Sequence, residues 1–248
     1  MTTRSERYDL IDTIRGIAIV SMVIFHFCYD MFMIYGRDLS WYGQPIIHIW
    51  QQSICWTFIV VSGFAWSWGS QGNLKRGIIL NIWGLIITGV TVLVMPADAV
   101  WFGILNCIGC AVLLMIPLAP LLRRIPAIIG ALLALMLFLV CKNVQLGYLG
   151  FGGVLYAVLP RWLYECRVLT PFGFPFPGFR SSDYFPILPW LFLYICGYFL
   201  SCVMMSSHSL QSVAHHGVAP LSAIGRYSIW IYLAHQPVCM LICMALFG

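Results

Sequence analysis

Charge is what this sequence has least of: only 8% of its 248 residues are Asp, Glu, Lys or Arg. Average soluble domains carry about 25%. With 61% hydrophobic residues, the chain has no stretch from which a soluble domain could be built. The thirteen basic residues are scattered among loops and form no patch for nucleic acid. No internal repeat is visible, which removes the main signature of an inverted-repeat transporter. Ten cysteines are present but sit mostly inside apolar segments. Cys107 and Cys110 form a CxxC there without the two further ligands of a zinc site, so they read as small packing residues. No metal site and no haem are expected. Arg residues precede the first apolar run as in a signal peptide, but the run is too long and lacks a small-residue cleavage site, so a retained first span is expected.

What is present is a series of membrane-length apolar runs. The first, Ile11 to Ile34, carries Asp12, Arg15, His26 and Asp30. Ionisable groups inside a membrane helix are costly and mark function by default. At about 100° per residue, the steps from Arg15 to His26 return both side chains to one stripe, about 16 Å apart along the axis. Asp30 lies one turn past His26 on the same face, and Asp12 one turn before Arg15. The four define a polar seam that must face a bundle interior, either pairing helices together or lining a site.

Further spans are predicted at about Ile46–Trp68, Gly77–Met95, Val100–Leu122, Ile125–Cys141, Ile187–Met205 and Leu221–Leu246. Span two holds His48, Gln51 and Gln52, and the last holds Arg226, Ser228, Tyr232, His235 and Gln236, with a kink expected at Pro237. Val144–Leu159 is apolar but short and glycine-rich, and reads as an interfacial or re-entrant piece. A long Pro-, Gly- and Phe-rich loop then leads to Pro186. His208, His215 and His216 lie in a polar linker and read as solvated.

The expected architecture is therefore all-α: a single-domain polytopic membrane helix bundle over 1–248 with about seven transmembrane helices, or eight if Val144–Leu159 crosses. Its long extracytoplasmic loop precedes the penultimate span. With seven spans and the N-terminus inside, Arg4, Arg7, Arg15, Lys75, Arg76, Arg123, Arg124 and Arg226 lie inside, against Arg37, Lys142, Arg161, Arg167 and Arg180 outside. If Val144–Leu159 also crosses, the split becomes ten to three, which the charge rule prefers. Both versions place Arg15 near the cytoplasm and His26 and Asp30 toward the outer half.

A histidine held by a carboxylate is a general base near neutral pH, and an arginine at the cytoplasmic mouth suits phosphate. That combination fits a long donor, polar at one end and reactive at the other, of which a coenzyme A thioester is one form. Ser228, Tyr232 and His235 share a face, as do His48 and Gln52; each set reads as a core hydrogen-bond network or as a further wall of the same cavity. Two other readings stay open on the residues alone. One is a small multi-pass transporter or channel with a protonatable seam. The other is a haem protein using His26 and His235, which needs the two rings facing each other across the iron.

Five segments occur in a telling order: IDTIRGIAIVSMVIFHFCYD, VSGF, WFGILNCIGC, SSDYFPILPW and IGRYSIWIYLAHQPV. Together they resemble the bacterial relatives of the heparan-alpha-glucosaminide N-acetyltransferase catalytic domain, from about residue 7 to 240. The resemblance implies a multi-pass acyltransferase of the bacterial cytoplasmic (inner) membrane, with the N-terminus in the cytoplasm. It would take acetyl-CoA as co-substrate from inside and acetylate an extracytoplasmic sugar or amino-sugar acceptor. By motif match, Arg15 and His26 carry over as the first-span pair, Asp183 as the acidic residue of the outer loop, and His235 as the last-span histidine. The lysosomal branch has asparagine where His26 stands and a histidine in the following loop, whereas Gly36–Gln44 has none. The catalytic role falls either to His26 or to His48, and heparan sulfate is a poor expectation for the acceptor. Expected roles are thus catalysis for His26 with Asp30, coenzyme A binding for Arg15 with Asp12, and acceptor binding for His48, Asp183, Tyr184 and His235.

Overall fold

The structure, a computed structural model, describes residues 8–69 and 72–247. Its long helices are α1 (Asp9–Tyr29), α2 (Pro45–Phe64), α3 (Asn73–Val94), α4 (Ile104–Leu122) and α5 (Ala127–Cys141). A hairpin of β1 (Tyr148–Phe151) and β2 (Val154–Val158) and a short α6 (Trp162–Glu165) follow. The chain ends with α7 (Ile187–Met205), α8 (His208–Ala214), α9 (Ala219–Arg226) and α10 (Ser228–Phe247). Proline marks many boundaries: Pro45 opens α2, Pro96 follows the end of α3, and Pro126 precedes α5.

Among the described residues, six helices are long and apolar enough to cross a membrane. The protein is an integral membrane protein. Helix α2, the expected second span, is 20 residues long but is not one of the six. His48, Gln51 and Gln52 dilute the apolar character of its first half. The last expected span also differs, because it is divided into α9 and α10 at Tyr227.

The expectation of an all-α chain is corrected at Val144–Leu159. This stretch is neither a span nor a re-entrant helix but a turn followed by the antiparallel hairpin. Gly152 and Gly153 both take positive φ, +59° and +84°, the requirement of a two-residue hairpin turn matched to strand twist. Aromatic and β-branched residues (Tyr148, Phe151, Val154, Tyr156, Val158) supply the strand preference on either side.

Contacts gather the chain into two compact units, one of residues 8–61 and 204–247, the other of residues 62–203. In the first unit, α1 lies against α9 at backbone contact. A Cβ on Gly16 would stand 2.0 Å from the Leu221 carbonyl oxygen, and one on Gly225 1.9 Å from that of Asp12. Small residues that admit backbone approach are the usual device for packing helices in lipid, where no hydrophobic force joins them. The seam is closed by hydroxyls: Thr13 Oγ1 and Ser222 Oγ are 2.7 Å apart, and the Val218 N–H donates to Thr13 Oγ1 at 2.9 Å. Around the other side of α1, Ile19, Met22 and Phe25 pack with Tyr42, Ile47 and Ile54 from the following loop and α2. Trp50 Nε1 donates to Ser21 Oγ at 2.7 Å.

In the second unit, α3 and α4 pack through Gly77, Gly84 and Gly109, with Asn106 Nδ2 donating to the Asn81 carbonyl at 3.3 Å. Cys107 and Cys110 are free thiols within α4; Cys110 Sγ donates to Asn81 Oδ1 at 3.3 Å. The segment before α7 docks onto the segment before α4. Ser181 Oγ accepts from the Trp101 N–H at 2.9 Å, the Ser182 N–H donates to the Ala99 carbonyl at 3.3 Å, and the Phe185 N–H donates to the Phe102 carbonyl at 2.9 Å. Phe102 takes φ +56°, an uncommon conformation for a bulky residue, and these bonds hold it there. Asp183 Oδ2 accepts the first free N–H of α4, that of Ile104, at 3.1 Å.

Two outcomes are expected. Gly225→Leu forces α1 and α9 apart and costs at least the ~1–3 kcal/mol of an overpacked core; the unfolding temperature of the detergent-purified protein should fall, whereas at Gly89, where nothing lies within 4 Å, the same change should be nearly silent. Burial pushes the Asp183 carboxyl up to about 6, against the pull of the Ile104 N–H. A folded value above the unfolded ~3.9 means a contribution present below that value and lost as pH rises through about 6. Asp183→Asn keeps an acceptor for Ile104 without the charge, so its unfolding temperature should gain on the wild type between pH 4 and pH 7. A constant difference across that range would show that the carboxyl does not titrate there.

Candidate functional site

The first unit collects ionisable and amide groups inside an apolar surround. Helix α1 contributes Asp12, Arg15 and His26, and Asp30 begins the single wider, π-helical turn that extends α1 to Ile34. Such turns recur at functional sites because they re-aim side chains that a regular helix would place elsewhere. Asp12 and Asp30 are buried, at 5% and 0% exposure, while Arg15 and His26 are half-buried. The polar seam of α1 therefore does face inward.

The seam divides into two parts. At its start, Arg15 Nη1 meets Asp12 Oδ1 at 2.9 Å, an ion pair within one helical turn. At its far end, α10 supplies the partners. The rings of His26 and His235 meet edge to face with centroids 4.6 Å apart. Gln236 Nε2 donates to Asp30 Oδ1 at 2.9 Å. Asp30 thus reaches across to α10 for its hydrogen bond, rather than back along α1 to His26. His235 Nδ1 is hydrogen-bonded to the Tyr232 carbonyl oxygen one turn earlier, and the Tyr232 ring lies 5.4 Å from that of His235.

Several buried polar atoms here have no hydrogen-bond partner: Asp30 Oδ2, Gln236 Oε1, His235 Nε2 and the Tyr42 hydroxyl. Native proteins leave few such atoms, and a group of them together points to a bound species that completes them. Tyr42 is buried against Phe25 and Phe32, with ring centroids at 5.9 and 5.3 Å. The edge contact of His26 with His235 leaves no slot for a macrocycle between the two rings, so the pair does not fit a haem iron.

The other expected site residues are placed differently. His48 is exposed on the first turn of α2, outside the His26–His235 cluster. Asp183 and Tyr184 belong to the second unit, where Asp183 caps α4 and the Tyr184 hydroxyl donates to the Thr170 carbonyl at 2.6 Å. Gln236 and Tyr42 are the residues that sequence reasoning passed over. The signal for Gln236 was available: a second polar side chain beside His235 in the middle of an apolar run. Nothing in the sequence distinguished Tyr42 from an interfacial aromatic.

No curated protein and no solved structure matches the chain. One family model does, that of the heparan-alpha-glucosaminide N-acetyltransferase catalytic domain, over residues 7–237. The match takes in Asp12, Arg15, His26, Asp30, Tyr42, His235 and Gln236, and covers both units. This chain belongs to the heparan-alpha-glucosaminide N-acetyltransferase catalytic-domain family.

Proposed function

We propose that the protein transfers an acetyl group from cytoplasmic acetyl-CoA to a sugar or amino-sugar acceptor on the far side of the bacterial inner membrane, with its own N-terminus in the cytoplasm. The observation that carries this reading is the His26–His235 pair beside Asp30 and Gln236, a cluster with unmet acceptor atoms inside an apolar helix bundle. Family membership supports acyl transfer as its chemistry.

In this reading His26 meets the reacting groups. It either takes the acceptor's proton or carries the acetyl group for a moment. Asp30 and Gln236 form a hydrogen-bonded bridge from α1 to α10 that sets the spacing of the two histidines. Arg15 lies eleven residues before His26, about 16 Å along the helix. That separation suits a donor whose phosphates sit at the mouth while its thioester reaches inward. The guanidinium pairs with Asp12 and is a planar, permanently charged donor of the kind that recognises phosphate. Acceptor contacts from His48, Asp183 and Tyr184 would be additional to this cluster. A transporter with a protonatable seam is the competing reading, and it requires no coenzyme A.

Coenzyme A release from acetyl-CoA by the purified full chain, with and without a panel of amino sugars, separates the two. Sugar-stimulated release is expected, reduced about 10²-fold or more in His26→Ala. Full activity in His26→Ala would remove that residue from the chemistry, and no release with any acceptor would favour transport. Arg15→Ala should raise KM for acetyl-CoA about tenfold or more, the scale of a charge-assisted hydrogen bond. Asp12→Asn, which breaks the same ion pair but keeps the cation, should not.

A further inference from the structure

The two histidines of the pair differ in how their ring nitrogens are held. His26 meets its neighbours through ring contacts, with Phe25 and with His235. His235 is fixed at Nδ1 by the Tyr232 carbonyl oxygen. A carbonyl oxygen only accepts, so Nδ1 must donate, and the one proton of the neutral ring is therefore on Nδ1. The opposite nitrogen, Nε2, is left as a bare lone pair. It is also buried and has no hydrogen-bond partner.

This is the arrangement of a proton acceptor held ready. The backbone carbonyl holds this tautomer for as long as the bond to Nδ1 is made. Asp30 Oδ2 and Gln236 Oε1 are unmet acceptors as well. Gln236 has its amide turned so that Nε2 serves Asp30 and Oε1 is spare. These three unmet atoms ask for an occupant that brings N–H or O–H donors. An amino sugar or polyol brings several.

Resting on the acetyltransferase reading above, we propose that His235, rather than His26, is the general base of the reaction. The acceptor nitrogen or oxygen attacks the acetyl carbonyl carbon while its proton passes to His235 Nε2. The new C–N or C–O bond forms, the C–S bond breaks, and the sulfur leaves with the electron pair. The proton on Nε2 then passes to the thiolate, so the products are the acetylated acceptor and coenzyme A thiol, and the ring regains its starting form. Asp30 Oδ2 and Gln236 Oε1 accept further donors of the acceptor and orient it. His26, in edge contact with the base, is left to the acetyl side of the reaction.

The test compares two acceptors in the purified full chain, glucosamine and hydroxylamine. Hydroxylamine is largely unprotonated at neutral pH and attacks thioesters without a base. His235→Asn keeps an N–H where Nδ1 donates to the Tyr232 carbonyl but has no counterpart to Nε2. Its kcat with glucosamine should fall by about 10²–10⁴-fold, the scale of a lost general base. With hydroxylamine the fall should be much smaller, and acetyl-CoA binding should be unchanged. Loss of both activities to the same degree, or retention of glucosamine transfer within a few-fold, would overturn the assignment. If His235→Asn is not recovered folded, His235→Gln is judged by the same ratio of the two acceptors. A wild-type protein that releases no coenzyme A above the enzyme-free rate with either acceptor would instead bring down the acetyltransferase reading, and this assignment with it.

Discussion

The absence of water around a membrane helix is the constraint from which the rest of this structure follows. A carboxylate or imidazole placed on α1 cannot be solvated there, so it must be met by protein. Asp12 is met by Arg15 on its own helix, and Asp30 by Gln236 on α10. The same constraint governs the backbone contact of α1 with α9. Without a hydrophobic force between helices in lipid, close approach through Gly16 and Gly225, closed by Thr13 and Ser222, takes its place. Helix α1 is thus held on one side by α9 and faces α10 with its polar end, and the histidine pair is a consequence of that placement.

Against this background the unsatisfied atoms stand out. The second unit shows how the protein ordinarily treats polar groups at a helix end: Asp183 caps α4, and the serines beside it bond the backbone before α4. The cluster at Asp30, Tyr42, His235 and Gln236 is handled differently, with one acceptor or hydroxyl of each left unmet. The second unit has unmet buried atoms too, at Asn73, Thr170 and Tyr194, but those of the first unit include two ionisable side chains, Asp30 and His235. Leaving that cluster open favours a site where a substrate completes the bonding.

Much of this was legible in the chain before any coordinates. Ionisable residues at helical spacing in an apolar run have only one affordable orientation, so the inward face of α1 followed from periodicity alone. The glycine pair in GFGG between β-forming residues is a hairpin signal, but in a short, apolar, glycine-rich stretch of a membrane chain it reads as an interfacial or re-entrant piece. Two of the segments that carry the family resemblance, WFGILNCIGC and SSDYFPILPW, turn out to dock on one another, with Asp183 as a cap. A motif shared within a family marks a constrained residue without saying whether the constraint is chemical or architectural.

By itself the sequence determined the membrane class, the mostly helical build, the family and the polar face of α1, because each depends on composition, periodicity or local order along the chain. Only the tertiary structure decided which residues meet. That Asp30 bonds Gln236 rather than His26, and that His26 faces His235 while His48 stays outside the cluster, depend on the rotation of α10 against α1. That rotation is set by packing between segments some 200 residues apart, and one-dimensional periodicity carries no record of it.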